Sequence, residues 1–229
     1  MKIISSIALI ATLIFSISCN SKKEIKQEQE ISFNQELADE LAQMGTIDQI
    51  AAYIPKGKYK AYSQNEWQAF KDSVFTNNKR RANEIFKQHG FPGYDLVGKD
   101  GERDFWLIVQ HSDFDPDFQK EVLKAMKPKV ENNNAKSSHY ALLTDRVNLN
   151  TGNKQIYGTQ VAYDLQTGQV YPKPLKDSAR VNKRRKSVGL EPLEIYLNNM
   201  SQMHFEMNKE NYIKKGINEP YLYKLPSDN

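Results

Sequence analysis

The sequence predicts a mainly α fold with a minor β part (α+β), a single helical domain that carries one small antiparallel β-hairpin. Three observations predict it. Apolar residues recur at spacings of three and four over most of the chain, helix-start signals precede those stripes, and one stretch near 155–171 changes to alternating apolar and polar residues. Of the 229 residues, 39% are hydrophobic and 26% charged, the composition of an ordinary globular domain large enough to bury a core without staples. No internal repeat is visible.

In chain order, Phe33, Leu37, Leu41 and Met44 define a first amphipathic helix, with Gly45 as a left-handed stop. Thr46 then caps a second helix through Ile47, Ile50 and Ala51, which Pro55 and Gly57 break. Ser63-Gln64-Asn65-Glu66 has the form of a capping box and opens a long stripe of Trp67, Phe70, Val74, Phe75, Ala82, Ile85 and Phe86 that ends before Gly90. A turn over 90–94 follows. Asp100 is read as the cap of a segment containing the apolar run 105–109 and then Gln110 and His111, assigned to helix. Pro116, behind Asp115, starts a helix bearing Phe118, Val122, Leu123 and Met126, with Pro128 near its end. Tyr140, Leu142, Leu143 and Val147 indicate another helix after the loop 132–134. The hairpin is placed near 155–171 and closed by Pro172 and Pro174. Asp177 and Ser178 are cap candidates for a basic helix ending at Gly189, and Pro192 starts a last helix that includes Phe205.

The N-terminus has the form of an export signal. Lys2 precedes an uncharged run over 3–17, a length that suits a signal h-region better than a membrane span. Ser16-Ile17-Ser18-Cys19 resembles the lipobox of bacterial lipoproteins, with Ser where Leu is usual, and it also fits ordinary signal cleavage. Cys19 is the sole cysteine, so no intrachain disulfide is possible, and acylation removes an otherwise free exported thiol. The expected organisation is a signal over 1–18, a solvated tether over 19–31, a globular domain over 32–207 and a C-terminal tail over 208–229. The expected location is the bacterial cell envelope, with the membrane held through a lipid on Cys19.

Three polar clusters interrupt core-like segments. They are Gln110-His111-Ser112-Asp113 with Asp115, Thr144-Asp145-Arg146, and the block 155–160 containing Gln155, Tyr157, Thr159 and Gln160. Together with Arg184, Arg185, Val188, Gly189 and Leu190, these blocks resemble the bacterial domain-of-unknown-function family 6624. The resemblance runs from Leu41 to Leu197 and includes a Gly-Phe-Pro turn and a Leu-Val-Gly step at 96–98. It implies a shared site and no particular reaction. Ser112 and Phe114 stand where the family often has Ala and His, which removes a second histidine from any metal site there.

His111 with Asp113 and Asp115 reads either as a general base with an orienting carboxylate or as a short metal signature. Capping of the helix at Pro116 is the simpler role for the carboxylates, so no metal is assigned and a divalent ion is not favoured. Asp145 and Arg146 lie inside an apolar helix, either as a structural brace or as an anion clamp whose carboxylate positions His111. A strand over 155–160 places Gln155, Tyr157 and Thr159 on one face, lining a pocket or facing water. Lys173, Lys176, Arg180, Lys183, Arg184, Arg185 and Lys186 form a basic stretch. The export signal argues against nucleic acid as its partner, leaving a solvated face, anionic lipid or polysaccharide, or a pocket role for Arg184 and Arg185. The absence of a Gly-rich phosphate loop, zinc-type cysteine spacing and a Gly-x-Ser-x-Gly elbow gives no signal for a nucleotide cofactor, a zinc finger or an α/β-hydrolase.

Three functions follow. One is a binding protein whose polar pocket takes a small anionic or sugar-like ligand, including an envelope polysaccharide. A second is a hydrolase or lyase using His111 as base with Asp145 and Arg146. The third is a structural module in which these polar groups act as braces.

Overall fold

The computed structural model describes residues 32–225. The expected signal, tether and lipidation site at Cys19 lie outside the described residues.

Helix α1 (Gln35–Ala52) begins when the Asn34 side chain accepts a hydrogen bond from the Leu37 amide. It is one continuous helix, which corrects the expected break at Gly45. Gly45 is there for proximity, since a Cβ would lie 2.8 Å from Cγ of Asp104. Thr46, expected as a cap, instead donates to the carbonyl of Ala42 within the helix. A single 3₁₀ turn over Gly57–Ala61 leads to α2 (Gln64–His89), whose start is the predicted capping box: Ser63 Oγ accepts from the Glu66 amide and the Glu66 carboxylate accepts from the Ser63 amide.

The turn over 90–93 feeds α3 (Tyr94–Gln110), which is kinked at Gly98 (φ 71°). Asp100 sits after that kink and pairs with Arg103 instead of capping the helix. The apolar run 105–109 is helical, as its neighbours suggested. Asp115 caps α4 (Pro116–Glu131) by accepting from the Phe118 amide, with Pro116 at the first helical position. That helix continues past Pro128. Helix α5 (Ser137–Asn150) follows. Leu41, Ala82, Ile85, Phe91, Phe105, Val122, Met126 and Leu143 form the main core between α1 and α5.

Strands β1 (Val161–Tyr163) and β2 (Val170–Pro172) pair antiparallel, with Ala162 opposite Tyr171. The hairpin is shorter than the alternation implied, because the chain over 155–160 is looped. Asp177 adopts a left-handed conformation (φ 48°) and caps nothing; its carboxylate turns to Arg180 and Arg184. Helices α6 (Val181–Ser187), α7 (Leu193–Met207) and α8 (Lys209–Lys214) follow, and the chain beyond them returns so that the Tyr223 amide donates to the Asn198 side chain on α7. Val170, Val181, Leu193 and Leu197 make a second, smaller core beneath the hairpin. The described residues belong to one compact unit.

Candidate functional site

The two faces of α5 divide the predicted site residues. Asp145 points toward the loop 155–160 and is fully buried. Its Oδ1 accepts from the amides of Ile156 (2.6 Å) and Tyr157 (3.0 Å), and its Oδ2 from the amide and hydroxyl of Thr159 (2.9 and 3.0 Å). Charge-assisted bonds of this kind offset the desolvation of the carboxylate and satisfy amides that the loop would otherwise bury without partners. Gly158 (φ 72°) supplies the bend, and a Cβ there would meet Leu193 Cδ1 at 2.9 Å.

The rest of that loop is fastened from within and from α6. Gln155 is buried and closes a ring, its Nε2 donating to the carbonyls of Gln160 and Lys173 and its Oε1 accepting from the Gln160 amide. Arg185, 1% exposed, donates to the carbonyls of Glu191 and Tyr157 and lies over the Tyr196 ring at 4.9 Å. Arg184 donates to the carbonyls of Ile156, Lys176 and Asp177. Tyr157 is half-buried, and burial, with Tyr140 nearby, pushes its hydroxyl above the ordinary range. Gln155, Tyr157 and Thr159 therefore share no strand face, and Asp145 has spent its oxygens on the loop instead of orienting His111.

The second cluster sits at the C-terminal end of α3. His111 Nδ1 lies 2.5 Å from Oδ1 of Asp48, which is 1% exposed in the last turns of α1. Phe75 packs beside the imidazole, ring centres 5.5 Å apart, and the His111 side chain remains 21% exposed. Two residues on, Asp113 takes Nη1 of Arg146 on Oδ2 (2.5 Å) and Asn150 and Gln119 on Oδ1. Gln119 also donates to the carbonyls of Val109 and Gln110 and so fixes the segment 110–113 against α4. His111 and Arg146 are thus tied to one short segment, while Asp145 belongs to the other cluster.

A buried carboxylate on Nδ1 selects, in the neutral imidazole, the tautomer whose Nδ1 carries the proton and whose Nε2 holds the lone pair. This is the arrangement of a base with its orienting acid. Of the two carboxylates, for which helix capping is the simpler expected role, Asp115 caps α4 and binds Lys79 at 2.5 Å, while Asp113 holds Arg146. Among the described residues no group of three or more His, Cys, Asp or Glu side chains is placed to hold a metal ion.

A family model described as a family of unknown function, DUF6624, matches residues 35–206. The chain belongs to the DUF6624 family. No curated protein and no solved structure matches it. The DUF6624 match spans α1 to near the end of α7, so both the Asp48–His111 pair and the Asp145 brace fall inside it.

Sequence reading missed Asp48, although its signal is present in the DUF6624 region. Leu37, Leu41, Met44, Asp48 and Ala51 lie on one helical stripe, so an acid there interrupts the buried face of α1. A second pair was missed in the same way. Glu102 shares the buried face of α3 with Phe105 and Trp106, and its Oε2 lies 3.1 Å from Nδ1 of His139, whose ring stacks on Trp106 at 4.1 Å.

Proposed function

We propose that this chain is an exported, lipid-tethered envelope protein whose site at the C-terminal end of α3 binds a small anionic or sugar-like ligand. One observation carries the binding reading. Among the described residues, the buried side-chain polar atoms without a hydrogen-bond partner are Asp48 Oδ2, Gln110 Oε1 and Arg146 Nε. All three residues are linked to the segment 110–113: Asp48 through His111, Arg146 through Asp113, and Gln110 as its first member. Unmet buried polar atoms are costly and concentrate where a ligand or solvent completes the bonding. Two acceptors, a cationic donor and the free Nε2 of His111 suit a hydroxyl-rich or anionic molecule.

The test is an NMR titration of the chain from Asn20 onward with neutral sugars, sugar acids and inorganic phosphate, read at the His111 imidazole and the Arg146 guanidinium. Saturable shifts that disappear in Arg146→Ala are expected. No saturable shift with any of these probes would refute the binding reading. The tether is supported by the run 3–17 and by Cys19. Radiolabelled palmitate is expected to enter the protein and to be lost in Cys19→Ser, and an unlabelled wild-type chain would contradict it.

A second reading, hydrolase or lyase chemistry, is favoured by the Asp48–His111 geometry. It requires proton transfer at Nε2, with Asp48 in the orienting place that sequence reading gave to Asp145. Under this reading His111→Ala abolishes turnover of a bound ligand, and it also lowers thermal stability because the buried Asp48 carboxylate loses its partner, so His111→Ala combined with Asp48→Asn is the stability control.

A further inference from the structure

We propose that the segment joining α1 to α2 is a contact surface for an anionic lipid bilayer. Tyr53, Ile54 and Tyr62 are 64%, 70% and 40% exposed, which places large apolar side chains at the surface of the same segment, 53–62, that carries Lys56, Lys58 and Lys60. They are not loose. Tyr59, Tyr62, Trp67 and Phe70 form one aromatic cluster, with Tyr59 and Phe70 centred 4.9 Å apart and Trp67 stacked on Phe70 at 5.2 Å. Tyr59 joins this cluster to an open groove of about 440 Å³ that is also lined by Gln49, Ile50, Tyr53 and Ile54.

Charge selects the occupant. Lys56, Lys58 and Lys60 are all exposed within this segment, and no acidic residue occurs between Asp48 and Glu66. An aliphatic side chain, tyrosines with one polar end and three lysines of the same segment match the bilayer interface, where apolar atoms enter the acyl boundary and ammonium groups meet anionic headgroups. A soluble protein partner with an apolar patch would not require three exposed lysines and no acid beside it. The surface lies outside the cluster at the end of α3, and the proposal does not depend on acylation of Cys19.

The test uses the chain from Asn20 onward, which contains the compact unit and lacks any acylated residue. It is sedimented with vesicles of phosphatidylglycerol mixed with phosphatidylcholine and with pure phosphatidylcholine, while Trp67 fluorescence reports on the aromatic cluster; Trp106 is buried and serves as the constant background. Partition into the anionic vesicles is expected, with a blue shift and weakening by salt. Replacing Tyr53 and Ile54 together by Ser, or Lys56, Lys58 and Lys60 together by Glu, is expected to lower the partition about tenfold or more. All five side chains are exposed, so melting temperatures should stay near wild type. A failure to partition into anionic vesicles overturns the proposal. So does a partition that survives both loop variants and is lost in Arg180→Glu with Lys183→Glu, which would assign it instead to the groove beside α6 that Lys176, Arg180, Lys183 and Arg184 line. Retention on soluble dextran sulfate with no vesicle binding also overturns it, since charge alone would then suffice.

Discussion

Nδ1 of His111 is held at 2.5 Å by Oδ1 of Asp48, a residue 63 positions earlier on the first helix. Asp145, the acid nearest to Arg146 in sequence, instead closes the loop 155–160. The polar residues singled out in this chain therefore divide into a brace around Asp145 and a second cluster around His111, and the two respond differently to substitution.

Asp145→Ala removes a buried acceptor that serves three backbone amides and a hydroxyl. We expect a loss of about 3 kcal/mol or more, because the abandoned amides stay buried without partners. Urea denaturation measures it. A loss below 1 kcal/mol would show that the loop finds other acceptors.

Arg185→Lys is also expected to destabilise, by about 2 kcal/mol, although charge is conserved. The guanidinium reaches the carbonyls of Glu191 and Tyr157 at once and covers the Tyr196 ring, and a single ammonium cannot hold that geometry. A melting temperature equal to wild type contradicts the bracing role.

Gly45→Ala tests close packing of α1 on α3. In an open helix this change gains about 0.5–1 kcal/mol. Here the new methyl would sit 2.8 Å from Cγ of Asp104, itself bonded to Arg103, and overpacking of this kind costs about 1–3 kcal/mol. Net destabilisation is expected in thermal denaturation.

The cap at Asp115 sets an acid limit. The Lys79 ammonium first, and then the Phe118 amide, hold its carboxyl below the ordinary value of 3.8. The folded protein therefore binds this proton less readily than the unfolded chain. Its contribution is complete above pH 3.8 and declines as pH falls through the lower, folded value. Asp115→Ala is expected to cost about 1 kcal/mol at neutral pH and to flatten the acid side of the stability profile, read from urea midpoints against pH.

The helices were legible because their stripes and caps are local. The capping box at Ser63 and the Asp115-Pro116 start needed only neighbouring residues to be recognised. Gly45 was misread because a glycine that stops a helix and one that admits a carboxylate from another helix look alike until Asp104 is placed. The alternation across 155–163 came half from a true strand and half from a loop whose amides turn inward to Asp145. The partner of His111 was the hardest to find: it lies on another helix, and its only local sign is an acid at a buried position of α1.

The most direct measurement is the tautomeric state of His111, read from its ring nitrogen shifts in wild type, Asp48→Asn and Asp145→Asn. A proton on Nδ1 with a free Nε2 is predicted for wild type and for Asp145→Asn, and loss of that preference is predicted for Asp48→Asn. A wild-type proton on Nε2, or a tautomer that follows Asp145 instead of Asp48, would contradict the division into brace and site.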